Sequence, residues 1–270
     1  MDLTEIIHST RHYNFHTHTQ FCDGRSTMAE IAGQAVADGF THLGFSPHSP
    51  IAVDSPCNMS RSDVASYRAE ATRLGAELPL KVFTGMEIDY LTPAHGPSAP
   101  YFTDLGLDFA IGSVHFVPSQ RGEYIDIDGS FERFARNMDM KFDGDLRYVV
   151  ETFYDQSAEM LSRGGFDILG HFDKITKNAA VYDPDLEQHG WYTDLTAAYI
   201  SEIIASGVIV EINTKAIDSD LRFYPHHSYW KQLTDAGVEL AVNSDCHYAD
   251  RINFGRDEAF RLLESYGYRY

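Results

Sequence analysis

Two histidines one residue apart, His16 and His18, close the short run Asn14-Phe15-His16-Thr17-His18. Side chains alternate along an extended strand, so both imidazoles point the same way and can grip one metal ion. Asp23 follows just beyond, and His48, Glu87, His115, His171, Asp245 and His247 come later in the chain. Imidazole mixed with carboxylate suits zinc, iron or manganese and argues against an all-oxygen calcium site. These nine residues are too many for one ion, and up to three divalent ions sharing carboxylates is the natural count.

What gives these residues weight is where they fall. The chain reads as strands alternating with helices, with strands over Tyr13 to Phe15, His42 to Ser46, Lys81 to Glu87, Asp108 to His115, Ile168 to Gly170, Val208 to Asn213 and Leu240 to Ser244. Thr27-Met28-Ala29-Glu30 is a capping box that opens a helix running to about Asp38, where Gly39 stops it. Further helices are expected from Ser60 and Asp63 past Leu74, from Phe131 to Met138, Asp145 to Arg163, Thr193 to Ser206, Tyr229 to Ala236 and Arg256 to Tyr266. Residues 118–144, with a hairpin-like alternation over Glu123 to Asp128, read as an excursion within a single domain, 1–270. Regular alternation means parallel pairing with right-handed crossovers, and seven units suggest an α/β fold, a TIM-barrel-like (β/α)7 barrel. Such barrels gather their chemistry at the C-terminal strand ends. Six of the seven strand ends carry a candidate ligand; the exception is the strand ending at Asn213. Taken singly, His115 or His171 reads as a satisfied buried histidine, and Glu87 or Asp245 as a cap or ion-pair partner. Nine accidents at corresponding strand ends are a poor alternative. Most of the other histidines read as surface residues.

The formal net charge of −19 disfavours nucleic acid or an anionic membrane as a partner. An anionic substrate then needs a local positive charge, and three divalent ions against Asp23, Glu87 and Asp245 leave a site charge of roughly +3. No run of 18 apolar residues exists, and the start Met1-Asp2-Leu3-Thr4-Glu5 lacks the basic and apolar regions of a signal peptide. The 3 cysteines, Cys22, Cys57 and Cys246, are widely spaced and read as reduced thiols. The expected location is cytoplasmic.

The set His16-Thr-His18, His48, Glu87, His115, His171 and Asp245-Cys-His247 resembles the polymerase-and-histidinol-phosphatase (PHP) family over nearly the whole chain. The stretches Phe21-Cys22-Asp23-Gly24, Gly85-Met-Glu87-Ile-Asp89-Tyr90, Asp108-Phe-Ala-Ile-Gly-Ser-Val-His115-Phe116, Gly170-His171-Phe-Asp173 and Glu211-Ile-Asn213-Thr214 resemble its histidinol-phosphatase branch. The resemblance implies a distorted seven-stranded β/α barrel. It implies one metal on His16, His18, Glu87 and Asp245, a second on Glu87, His115 and His171, and a third on Asp23, His48 and His247. Many relatives have histidine where this chain has Asp23, which makes the third site harder and more anionic. Asn213-Thr214-Lys215-Ala216-Ile217, and Pro47 before His48, also depart from the branch pattern, near where substrate would sit.

The implied activity is hydrolysis of a small phosphorylated substrate, foremost L-histidinol phosphate in histidine biosynthesis, by a metal-activated hydroxide with Glu87, Asp245 and His247 as catalytic residues. Arg222, Lys177 or Lys215 could hold the phosphate, and Asp89 could meet a substrate ammonium or imidazole. A covalent route through Cys22 or Cys246 is disfavoured, since neither shows a dedicated base. The alternatives are a PHP phosphoesterase acting on another small ester or nucleotide, an amidohydrolase-type metal hydrolase, and a non-catalytic metal-binding PHP module. The amidohydrolase pattern wants a lysine at a strand end where this chain offers Glu87, and a degenerate module would have lost ligands.

Overall fold

The structure, a computed structural model, describes residues 2–269; Met1 and Tyr270, the outermost residues of the expected domain, lie outside the described residues. Seven parallel strands make one sheet: β1 (Tyr13–Asn14), β2 (His42–Phe45), β3 (Lys81–Asp89), β4 (Phe109–Ser113), β7 (Ile168–Leu169), β8 (Ile209–Asn213) and β9 (Leu240–Asn243). They lie side by side in chain order, interrupted only by an antiparallel hairpin, β5 (Phe116–Pro118) and β6 (Tyr124–Asp126), which pair with each other. All residues of β4, β8 and β9 are buried, as strands covered on both faces must be.

The sheet curls into a nearly closed barrel, and the seam between β1 and β9 is made mostly without a ladder. One backbone bridge joins Thr17 and Cys246, with the His18 N–H donating to the Cys246 carbonyl at 2.9 Å. Side chains do the rest: the Phe15 N–H donates to Asn243 Oδ1 at 2.9 Å and the Val242 N–H to the Tyr13 hydroxyl at 3.0 Å. The buried guanidinium of Arg256 reaches the carbonyls of Tyr13, of Arg11 at 3.0 Å and of Val242 at 3.2 Å. Phe15, Phe83 and Phe109 pack together with ring centres 5.6 and 6.1 Å from Phe15. Gly44 and Gly85 leave the room, since a Cβ at either would collide with the Phe109 ring.

Helices α2 (Met28–Ala37), α3 (Val64–Glu77), α6 (Leu146–Arg163), α8 (Gly190–Ser206), α9 (Trp230–Asp235) and α10 (Arg256–Ser265) follow the expected spans within a few residues. The capping box of α2 is made in full, and Met28, Ile31, Ala32 and Ala35 form its buried stripe. Three short helices stand where the sequence pattern showed none: α1 (Leu3–Ser9), α4 (Pro100–Thr103) and α7 (Thr176–Tyr182). Each spans two turns or fewer, too short for an apolar period to declare itself. The excursion is the β5–β6 hairpin followed by α5 (Phe131–Lys141), and its first arm begins at Phe116, before the expected boundary. The hairpin is tied over the strand ends: the Ile127 N–H donates to the His115 carbonyl at 3.0 Å, and Asn178 Nδ2 donates to Ile127 and Gly129 carbonyls at 2.8 and 3.0 Å. Among the described residues no helix is long and apolar enough to cross a membrane.

Candidate metal centre

All nine expected ligands converge at the C-terminal ends of the strands. Glu87, at the end of β3 and 1% exposed, stands in the middle. Its Oε2 lies 3.0 Å from His48 Nδ1, 3.2 Å from His16 Nε2 and 3.4 Å from His18 Nε2. Its Oε1 lies 2.9 Å from His171 Nε2 and 3.4 Å from His115 Nε2. His18 Nε2 is also 3.1 Å from Asp245 Oδ1 and 3.1 Å from His16 Nε2, so the His-x-His pair acts on one side as strand alternation requires. Asp245 reaches inward from a left-handed backbone, φ +48°, a conformation aspartate tolerates better than most residues. Asp23 Oδ1 lies 3.3 Å from His247 Nε2, 3.7 Å from His18 Nδ1 and 3.9 Å from His48 Nε2.

Four overlapping groups of ligand atoms result: His16/His18/Asp245, His16/Glu87/His171, His48/Glu87/His115 and His18/Asp23/His48/His247. His48 thus stands between two groups rather than serving Asp23 and His247 alone. Asp23 Oδ1, His48 Nδ1 and Glu87 Oε2 are buried and make no hydrogen bond. Buried polar atoms are ordinarily paired, so nitrogen and oxygen ligand atoms converging on a shared space fit a cation. The buried carboxylates set a field that favours positive charge. Burial alone would lower His16 and His115, yet Glu211, Glu87 and Asp245 raise His16 well above its ordinary range, and Asp89 and Glu87 raise His115 to about 10. His18 goes the other way, pushed well down by burial and by His247 and His48. Against burial, the imidazoles of His16, His115 and His48 hold Glu87 well below the carboxylate range.

Beside the cluster opens a cleft of about 360 Å³, lined by Asp23, His48, Asp89, His115, Lys177, Lys215 and His247, by Asp126 of the hairpin and by Asp128 just after it. Lys215 Nζ is 3.3 Å from Asp245 Oδ1 and 3.3 Å from His247 Nε2. Lys177 Nζ donates to the Asp128 carbonyl at 2.6 Å and to its Oδ1 at 3.1 Å. A larger hollow of about 500 Å³ lies at the opposite strand ends, beside Asp108, Asp167 and Val208, but its lining holds no histidine and no cationic side chain.

Two residues expected to contact substrate have other partners in this structure. Arg222 is absent from the cleft lining; its guanidinium is taken by Asp173 Oδ2 at 3.0 Å and by Glu187 at 2.9 and 3.0 Å. Its place in a mouth-side loop said nothing of which way it turned. Asp89 borders the cleft, but its Oδ1 meets His115 Nδ1 at 2.7 Å and its Oδ2 meets Asn58 Nδ2 at 3.2 Å. Its carboxylate is therefore engaged with a ligand histidine. Burial pushes the Cys22 and Cys246 thiols up to about 12, which agrees with a non-covalent route.

Residues without a forecast role complete the site. Asp128 sits in the excursion, and Asn58 in the loop after β2. Glu211, on the one strand whose end offers no ligand, is fully buried with its Oε1 2.6 Å from His16 Nδ1. The signals for Glu211 are a carboxylate inside an otherwise apolar strand, Val208 to Ile212, and its place in the stretch Glu211-Ile-Asn213-Thr214.

The PHP domain model matches residues 14–215. No curated protein matches the chain by sequence. Among solved structures, a protein from Listeria monocytogenes described as a histidinol phosphatase, HisK, superposes with a TM-score of 0.79 at 18% identity, over 91% of this chain and 99% of that one. Histidinol phosphate phosphatase from Lactococcus lactis subsp. lactis, in complex with zinc, L-histidinol and phosphate, gives 0.67 at 16% identity, over 95% of this chain and 94% of that one. At such identities the likeness is one of fold.

Proposed function

The chain belongs to the PHP family, and on that premise we propose that it is a divalent-metal-dependent hydrolase of small phosphate monoesters, with L-histidinol phosphate as its substrate. The observation that carries this reading is Glu87, one buried carboxylate with five imidazoles around it and an Oε2 that makes no hydrogen bond. His16, His18, Glu87 and Asp245 would hold one ion, Glu87 with His115 and His171 a second, and Asp23, His48 and His247 a third. Zinc, iron and manganese all suit this donor set. Bound there, such ions supply positive charge for the phosphoryl oxygens and acidify a water.

The chain's own groups divide the remaining work. Lys215, beside Asp245 and His247, would hold a non-bridging phosphoryl oxygen, and Lys177, which lines the same cleft, would add a second positive charge. Asp126 and Asp128 also line the cleft, Asp126 paired with Arg133 at 3.1 Å and Asp128 with Lys177 at 3.1 Å, and add negative charge toward an ammonium-bearing leaving group. Overall, water adds across the P–O bond: its hydroxyl goes to phosphorus and its other proton to the departing alkoxide. The fold shared with the Lactococcus protein supports L-histidinol phosphate as the first ester to try.

The test pairs metal analysis with a phosphatase screen. The purified protein should carry at least one transition metal per chain and hydrolyse histidinol phosphate when supplied with manganese or zinc. Less than one metal per chain together with no monoesterase activity ends the reading. Activity on other monoesters alone replaces the substrate and keeps the class.

A further inference from the structure

β8 supplies no candidate metal ligand, yet its Glu211 touches three of the strands or strand ends that do. Oε1 lies 2.6 Å from His16 Nδ1 and accepts from Asn243 Nδ2 at 3.1 Å. Oε2 accepts from the His171 backbone N–H and from Asn213 Nδ2, each at 3.1 Å. Asn213 Nδ2 also reaches Asp245 Oδ2 at 3.1 Å. Glu211, Asn213 and Asn243 are all fully buried.

The direction of each bond can be worked out. Amide nitrogen and oxygen are interchangeable on shape alone, so the orientation of Asn213 and Asn243 must come from their partners. Both partners are backbone donors: the Phe15 N–H points at Asn243 Oδ1 at 2.9 Å and the Lys215 N–H at Asn213 Oδ1 at 3.1 Å. A backbone N–H cannot become an acceptor, so both amide oxygens are committed and both NH2 groups face Glu211. With the His171 N–H, three of the four contacts on Glu211 are donors. An ionised carboxylate accepts at every position, and the fourth contact then requires a proton on His16 Nδ1.

From this geometry we infer that Glu211 is the positioning residue of the centre: it holds a proton of His16 on Nδ1, so that Nε2 is the nitrogen offered to an ion beside Glu87 and Asp245, and it keys the ends of β1, β7 and β9 to one point. This rests on the reading of the cluster as a metal centre, since only there does it matter which nitrogen His16 offers. Carboxylates behind ligand histidines play this part in other metal sites, where losing one costs about 10–100-fold in affinity. A glutamine cannot replace it, because its NH2 must confront two of the four donors.

The experiment uses ¹⁵N-histidine-labelled whole protein, metal-free and zinc-loaded, and the Glu211→Gln variant. Nitrogen-detected ring correlations should show His16 protonated at Nδ1 in both forms of the native protein, and Glu211→Gln should bind zinc about 10–100-fold more weakly in calorimetric titration. A bare Nδ1 on His16, or zinc affinity in Glu211→Gln within twofold of the native protein, overturns the inference. If Glu211→Gln does not fold, the ring measurement on the native protein decides alone. The two readings fail separately: native protein with His16 protonated at Nδ1 that binds zinc but cleaves no phosphate ester removes the proposed reaction and keeps the role of Glu211.

Discussion

His115 Nδ1 and Asp89 Oδ1 lie 2.7 Å apart, and the other face of the ring system turns Nε2 to within 3.4 Å of Glu87 Oε1. Asp89 is 3% exposed and held from behind by Asn58, a geometry suited to orienting the His115 ring. Asp89→Ala is therefore expected to weaken zinc binding and activity together, each by about 10–100-fold, with KM for the ester little changed. Steady-state kinetics beside a zinc titration check this. A raised KM with undiminished zinc affinity would return Asp89 to the substrate.

Gly24 governs the third group of ligands. A Cβ there would run into the backbone of His18 and Thr19, which cannot move aside as a side chain can. The loop that carries Asp23 lies directly on the end of β1 only because that residue has no side chain. Gly24→Ala should lift the loop, draw Asp23 away from His48 and His247, and lower the metal content while the barrel stays folded. The stability cost should be about 1–3 kcal/mol, the usual cost of overpacking. Metal content unchanged from the native protein would show that the loop absorbs the methyl group without moving Asp23.

The candidate ligands were legible because the strand period and the barrel topology together bring successive strand ends to one mouth, so His16, His48, Glu87, His115, His171 and Asp245 needed only to be placed at or just past strand ends. Other features depend on relations that no local pattern records. Glu211 is buried in mid-strand, and its partners Asn243 and His171 come from strands on either side of β8. Asp128 reaches the cleft because the hairpin folds back over His115, a return set by long-range hydrogen bonds. Arg222 and Lys215 occupy the same loop, and only tertiary packing turns one toward Glu187 and the other toward Asp245. The seam falls in the same class, since it rests on Asn243 and Arg256 side chains in place of a ladder.

Those two loop cations should respond differently to removal. Lys215→Ala takes a positive charge from the phosphate side of the cleft, and kcat/KM for a phosphate monoester should fall by about 10–100-fold, as expected for a charge-assisted contact of about 1.5–3 kcal/mol. Arg222→Ala leaves Asp173, fully buried, without its cation, and should cost about 3–5 kcal/mol in denaturant unfolding. A stable Arg222→Ala variant that has lost activity would mean that Arg222 leaves Glu187 to meet the substrate.

Metal should also show itself as stability. Glu87, Asp245 and the unbonded Oε2 and Nδ1 atoms of the cluster come together only in the folded chain, so an ion held there binds the native state and not the unfolded one. Linkage then gives about 2.7 kcal/mol of added stability when free zinc stands at 100 times its dissociation constant. Chelator-treated protein is expected to unfold at a lower temperature than protein as purified, and returning zinc should restore the midpoint. Glu87→Ala removes the carboxylate common to two of the overlapping groups, so its midpoint should respond far less to zinc and its activity should fall at least ~100-fold. The measurement is a thermal melt across a zinc series for both proteins. A native midpoint indifferent to zinc, or a Glu87→Ala response equal to the native one, would separate Glu87 from metal binding altogether.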